Sequence, residues 1–351
     1  MSVVKTSGVQ IEAISACVPG KIVKTEDYPL FTKSELKFFQ SGTGVKERRF
    51  ADNNVCASDL CERAARAFFD SGITKPEEIG VIIFVTQSPD YILPASAILL
   101  QQRLQLGKNV LAFDINLGCS GYIYGLSVIS SLMTASNIEK GLLLCGDVSS
   151  PSLSYEDKSV YPLFGDAGTA TLLRKGEVES VFNLQTDGSG HASIIIPGGG
   201  TRNPVCSTTF EKKDFGNGII RADRDLHLDG VEVFNFALRE VKPNVTKVLE
   251  TAGVEQDEVD YLIMHQANKL MNETVRKKMK FPEEKVPYSI DVYGNTSSAS
   301  IPLTIAHCFT NEELSGKKKL LLSGFGVGYS WGSAIVQTDN LKVIPVIEFD
   351  E

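Results

Sequence analysis

The sequence predicts an α/β protein folded as a five-layer αβαβα sandwich of two duplicated halves. Three observations lead there: strand-sized apolar runs alternate with amphipathic helical stretches, the order of elements from Ala64 recurs from Val245, and no Pro- or Ser-rich linker divides the 351 residues. Alternating strands and helices indicate mostly parallel sheets covered on both faces. With 42% apolar residues the chain can bury a large core, and two such units would pack against each other.

In the first copy, AARAFFDSGITKPEEIGVIIFVTQS from Ala64 reads as amphipathic helix, Gly turn, acidic connector and buried strand. In the second, VTKVLETAGVEQDEVDYLIMHQAN from Val245 repeats that order, so Glu78 falls on Glu258 and Val85 on His265. KNVLAFDINLGCSGYIYGLSVI from Lys108 then matches EKVPYSIDVYGNTSSASIPLTIAHC from Glu284 as strand, tight Gly turn and helix. This sets Gly118 and Cys119 opposite Gly294 and Asn295. GLLLCGD and KLLLSGFGVG are the next strands, which divides the chain into an N-terminal half, 1–175, and a C-terminal half, 176–351.

The formal charge of −8 and pI near 5.3 argue against broad nucleic-acid or anionic-membrane binding, both of which need a basic face. The start MSVVKTSGVQIEAIS lacks a basic end followed by a long apolar core, and runs such as Val81 to Val85 are far below a membrane span, so the reading is a cytoplasmic protein. Seven cysteines form no CxxC pair, which suggests neither a zinc site nor a disulfide framework, and no metal is expected.

In α/β sheets, sites gather at the carboxyl ends of strands, where the chain turns into a helix. Cys119, His265 and Asn295 all fall at such turns. Cys119 opens the helix SGYIYGLSVISSLM, whose dipole would favour the reactive thiolate, and the flanking glycines of GCSG permit a strained turn and close backbone approach. A nucleophile, an imidazole and an amide at matching strand ends form an acyl-transfer constellation. SGFGVGYSWG from Ser323 adds a Gly-rich bend whose free amides could face it.

The blocks GCSG, HQAN, GNTSSAS, GFGVGYSWG and FGDAGTA resemble the signatures of β-ketoacyl-acyl-carrier-protein synthase III, in the right order and over nearly the whole chain. The resemblance implies a thiolase fold, a homodimer, and two-step Claisen chemistry with no metal or organic cofactor. It implies that Cys119 takes an acyl group from acyl-coenzyme A or an acyl carrier protein, with the amides of Cys119 and Val327 as oxyanion hole. His265 and Asn295 would then stabilise the enolate that malonyl-acyl carrier protein forms on losing carbon dioxide. Phe325 matches an aromatic residue beside the nucleophile, and Leu93 the residue that closes the acyl pocket across the dimer.

Departures from the family pattern accompany these matches. Phe38, Gly42 and Lys158 stand where the family commonly has Trp and Arg for coenzyme A, so the acyl donor stays open, and a specialised paralogue is indicated. Leu270 replaces a usual basic residue, although Lys269, Arg276 and Lys280 recur at near-helical spacing and would dock an acidic carrier protein on one face. The order Cys, His, Asn also occurs in papain-like proteases, but those have no duplicated halves. The closer rival keeps acyl-Cys119 and passes the acyl group to an oxygen or nitrogen nucleophile, with His265 as general base.

Overall fold

The computed structural model describes residues 2–349, so the extreme ends of the two expected halves, residues 1 and 350–351, lie outside it. The N-terminal half comprises β1 (Ser2–Pro19), α1 (Lys33–Thr43), α2 (Ala57–Asp70), β2 (Ile79–Val85), α3 (Ser96–Arg103), β3 (Leu111–Ile115), α4 (Gly121–Thr134), β4 (Lys140–Asp147) and β5 (Ala167–Thr186). The C-terminal half adds α5 (Gly230–Ala252), β6 (Tyr261–Met264), α6 (Lys269–Met279), α7 (Ile290–Tyr293), α8 (Ser300–Cys308), β7 (Lys317–Gly326) and β8 (Ser330–Asp339).

Strand order is β3-β2-β4-β5-β1 on one side and β6-β7-β8-β5-β1 on the other, with β2 parallel to β3 and β4, and β6 parallel to β7. β1 and β5 belong to both. Residues 167–174 of β5 pair with β4 and residues 180–186 with β8. β1 follows them through a register shift between Ser7 and Val9, at Gly8, whose φ of +75° suits a bulge. The expected boundary at 175/176 therefore marks where β5 changes partners, inside one continuous strand, and the halves cannot be separated there.

Alternating side chains sort the strands into layers. Val81, Ile83 and Val85 of β2 meet Leu320 and Leu322 of β7 in a central core, while Ile82 and Phe84 face the opposite way, onto α2 and α3. Leu321 of β7 and Ile335 of β8 face α5 and α6. Between the sheets lie α4 and α8, which are apolar on nearly every side because both faces are buried. The outer helices are amphipathic, as Leu60, Ala64 and Phe68 of α2 and Met271, Val275 and Met279 of α6 show. This is the five-layer arrangement expected.

One element departs from expectation. The sequence pattern of YSIDVYG predicts a strand matching β3, yet the segment forms the short helix α7. Its backbone is used by other partners: Ser289 donates its N–H to Gln266 Oε1 at 3.2 Å, and the carbonyl of Asp291 accepts from Lys46 N at 3.0 Å. Ile290 is buried with Val45 and Phe164 in a fourth small core, beside the site.

Candidate active site

Cys119 lies in the turn between β3 and α4, and glycines surround it because backbone must come close. A Cβ on Gly118 would fall 2.4 Å from Gln87 Oε1, and one on Gly326, at the end of β7, 2.9 Å from Cys119 Sγ. Only the missing side chains let these turns pack. Cys119 is buried, which pushes its thiol up to about 11; hydrogen bonds from the amides of Val327 and Cys119 itself and from the Ser297 side chain act the other way. The expected thiolate is thereby corrected: desolvation of the buried sulfur favours the neutral form, and the resting group is a thiol.

His265 directly follows β6 and is 1% exposed. Its backbone is held at both ends, the N–H donating to Ser323 O at 2.8 Å and the carbonyl accepting from Asn272 Nδ2 at 2.9 Å. Its Nδ1 lies 2.7 Å from Ser300 Oγ. That oxygen also accepts from Gln266 N at 3.4 Å, and the Ser297 backbone bonds the imidazole as well, so the ring is held in place from two sides. Burial lowers the imidazole to about 3, so it is neutral at working pH. The Phe325 ring stands edge-on to it, centroids 5.9 Å apart.

Asn295 is fixed by its backbone, which donates to Leu163 O at 2.9 Å and accepts from Gly165 N at 3.1 Å. Its Oδ1 accepts from Ser297 N at 2.9 Å, so Nδ2 is the end of the amide left to donate. Cys119, His265, Asn295, Phe325 and Val327 all line one cavity, with Ile194, Leu226, Val233 and Met271 among its apolar walls. Among the described residues no group of three or more His, Cys, Asp or Glu could hold a metal ion.

Leu93 is not part of that cavity; it is 79% exposed, next to Ile92 at 99%. The expected docking face is also corrected. Arg276 is buried, forked onto Glu273 at 2.7 Å and donating to Phe281 O at 2.7 Å, so it closes the end of α6 instead of facing a partner. Lys269 is exposed at the start of α6, its ammonium 5.8 Å from the Tyr288 ring, and Lys280 lies past the helix end at φ +62°. Lys158 is tied to Glu35 of α1 at 2.9 Å, and Phe38 on the same helix is 82% exposed.

Asp147, Ser297 and Ser300 were not singled out in the sequence. The serines sit inside the GNTSSAS block, and Asp147 ends a strand of the repeat, which was the one available signal.

The family model for 3-oxoacyl-[acyl-carrier-protein] synthase III matches residues 113–190, and that for its C-terminal part matches residues 249–338. The β-ketoacyl-[acyl-carrier-protein] synthase III of Chlamydia caviae is 34% identical over 96% of this chain and 99% of its own. That of Streptococcus agalactiae is 31% identical over 93% and 98%. The crystal structure of a 3-oxoacyl-(acyl-carrier protein) synthase from Burkholderia xenovorans superposes with a TM-score of 0.92 at 36% identity, covering 99% of both chains. A duplicated five-layer fold with Cys, His and Asn converging on one cavity, at this identity over nearly full length, makes this chain a thiolase-fold condensing enzyme of the β-ketoacyl-acyl-carrier-protein synthase III family.

Proposed function

We propose that the chain joins an acyl thioester to malonyl-acyl carrier protein by decarboxylative Claisen condensation through acyl-Cys119. The observation that carries this reading is the neutral, buried His265, sharing a cavity with Cys119 and with an Asn295 whose free amide end is a donor. Sulfur of Cys119 attacks the thioester carbonyl, and the amides of Cys119 and Val327 receive the oxyanion. The tetrahedral adduct collapses as the donor's C–S bond breaks, and the Cys119 proton leaves with the departing thiolate. In the second step the malonyl C–C bond to carboxylate breaks, releasing carbon dioxide, and its electron pair moves into an enolate. Nε2–H of His265 and Nδ2–H of Asn295 donate to that oxygen, for which an imidazole already neutral and an amide that never titrates are suited. The carbanion forms the new C–C bond to the acyl carbonyl as its C–S bond to Cys119 breaks, and the released thiolate takes one proton from water.

The donor is an acyl-coenzyme A or an acyl carrier protein; the Lys158–Glu35 pair supports the latter, because it occupies a cation that would otherwise meet coenzyme A phosphate. A homodimer is part of the proposal, with exposed Ile92 and Leu93 reaching the partner's acyl pocket. These thioesters are cytoplasmic substrates, which is where the proposal puts the enzyme. Of the expected docking cations, Lys269 and Lys280 remain candidates for the carrier protein.

Intact mass after incubation with a panel of acyl-coenzyme A and acyl carrier protein thioesters tests the reading, with Cys119→Ala as control. A wild-type adduct that malonyl carrier protein converts to a longer β-keto product is expected. An adduct released only by an alcohol or amine would replace condensation with simple acyl transfer.

A further inference from the structure

Asp147 ends β4 with its carboxylate 2% exposed, beside a nucleophile whose ionisation its charge opposes. An anion in that place needs a reason. Its hydrogen bonds supply one. Oδ1 accepts from Gln87 N at 2.7 Å and Thr86 Oγ1 at 3.3 Å, both just past the end of β2. Oδ2 accepts from Ser298 Oγ at 2.7 Å and Ser298 N at 3.2 Å. One group thus ties two strand ends of the N-terminal half to the turn that follows Asn295 in the C-terminal half.

That turn is where the site is assembled. Ser297 has φ +51°, a left-handed conformation that a residue with a Cβ adopts only when its surroundings impose it. In that conformation it touches all three reacting side chains: its side chain bonds the Cys119 thiol, its backbone bonds the His265 ring, and its N–H takes Asn295 Oδ1. We infer that Asp147 is a positioning residue for the reaction: by holding Ser297 and Ser298 against the ends of β2 and β4, it sets where Cys119, His265 and Asn295 stand relative to one another. It acts through Ser297, and its own oxygens are filled with donors.

The inference rests on the proposed condensation only for the substrate assays, so the test begins with a probe that needs no substrate. Alkylation of Cys119 by iodoacetamide at neutral pH, read by peptide mapping on a Cys206→Ala background and divided by the folded fraction from circular dichroism, is compared for the otherwise wild-type chain, Asp147→Asn and Ser298→Ala. Asp147→Asn keeps the size but puts a donor against donors. It is expected to slow alkylation and acyl loading about tenfold or more, with the KM for the acyl donor within about twofold of wild type. Ser298→Ala removes one donor, keeps the charge, and should slow both in the same direction by less. Alkylation per folded molecule at the wild-type rate or faster in Asp147→Asn would overturn the inference, since faster reaction means that only the charge mattered. If Asp147→Asn does not fold, Ser298→Ala and Thr86→Val decide, and unchanged alkylation in both overturns it. Wild type that alkylates but never loads an acyl group removes the condensation reading and leaves the alkylation comparison standing.

Discussion

Gly326 and Cys119 come from opposite halves of the fold, yet a Cβ on Gly326 would lie 2.6 Å from Cys119 Cβ and 2.9 Å from its Sγ. No real pair of side chains stands so close, so Gly326→Ala must move either the nucleophile or the end of β7. Acyl loading is expected to fall about a hundredfold. Overpacking should cost about 1–3 kcal/mol of stability in urea unfolding. Loading at the wild-type rate would mean that the turn yields freely.

Because burial pushes the Cys119 thiol up to about 11, its alkylation by iodoacetamide should rise about tenfold per pH unit from pH 7 to near pH 10. A plateau by pH 8 would instead reveal a thiolate already formed. Cys206 is exposed and lowered to about 7, so the profile must be read on a Cys206→Ala background or by peptide mapping.

His265 gives the stability a pH dependence of definite sign. The unfolded imidazole binds a proton near 6.5, but the folded one only near 3. Between those values the unfolded chain alone holds the proton, so stability falls as pH drops from about 6.5 to about 3 and this contribution is level outside that window. Chemical denaturation of wild type and His265→Gln across the window should differ in slope by up to about 1.4 kcal/mol per pH unit. Equal slopes would show that the folded imidazole is not held neutral.

Arg276→Gln separates packing from docking. Losing the fork to Glu273 and the bond to Phe281 O should destabilise the fold by about 1–3 kcal/mol, because Glu273 and the carbonyl lose their partner. The KM for a carrier-protein substrate should hardly move. A large rise in KM with unchanged thermal stability would return Arg276 to the docking face.

Much of this was legible in the chain itself. The repeat from Ala64 and Val245, the strand-to-helix turns at Cys119 and Asn295, and the position of His265 are local or pairwise properties, written in the spacing of apolar residues and glycines. They determined the layered fold, its duplication and the residues that converge. What tertiary structure alone decided is the environment of those residues. Burial sets Cys119 as a thiol and His265 as a neutral ring, against the helix-dipole argument that Cys119's neighbours suggest. Helical spacing put Arg276 on a face with Lys269, but only the packing of Glu273 and Phe281 around it shows that Arg276 is engaged within the fold. The segment before Asn295 has a strand's pattern, yet Gln266 and Lys46 take up its backbone groups and it coils into α7. Asp147 stays silent in sequence because its meaning lies in donors from Thr86, Gln87 and Ser298, 60 residues or more away along the chain in each direction. Desolvation and long-range hydrogen bonding depend on what the whole fold brings near, and no local pattern encodes that.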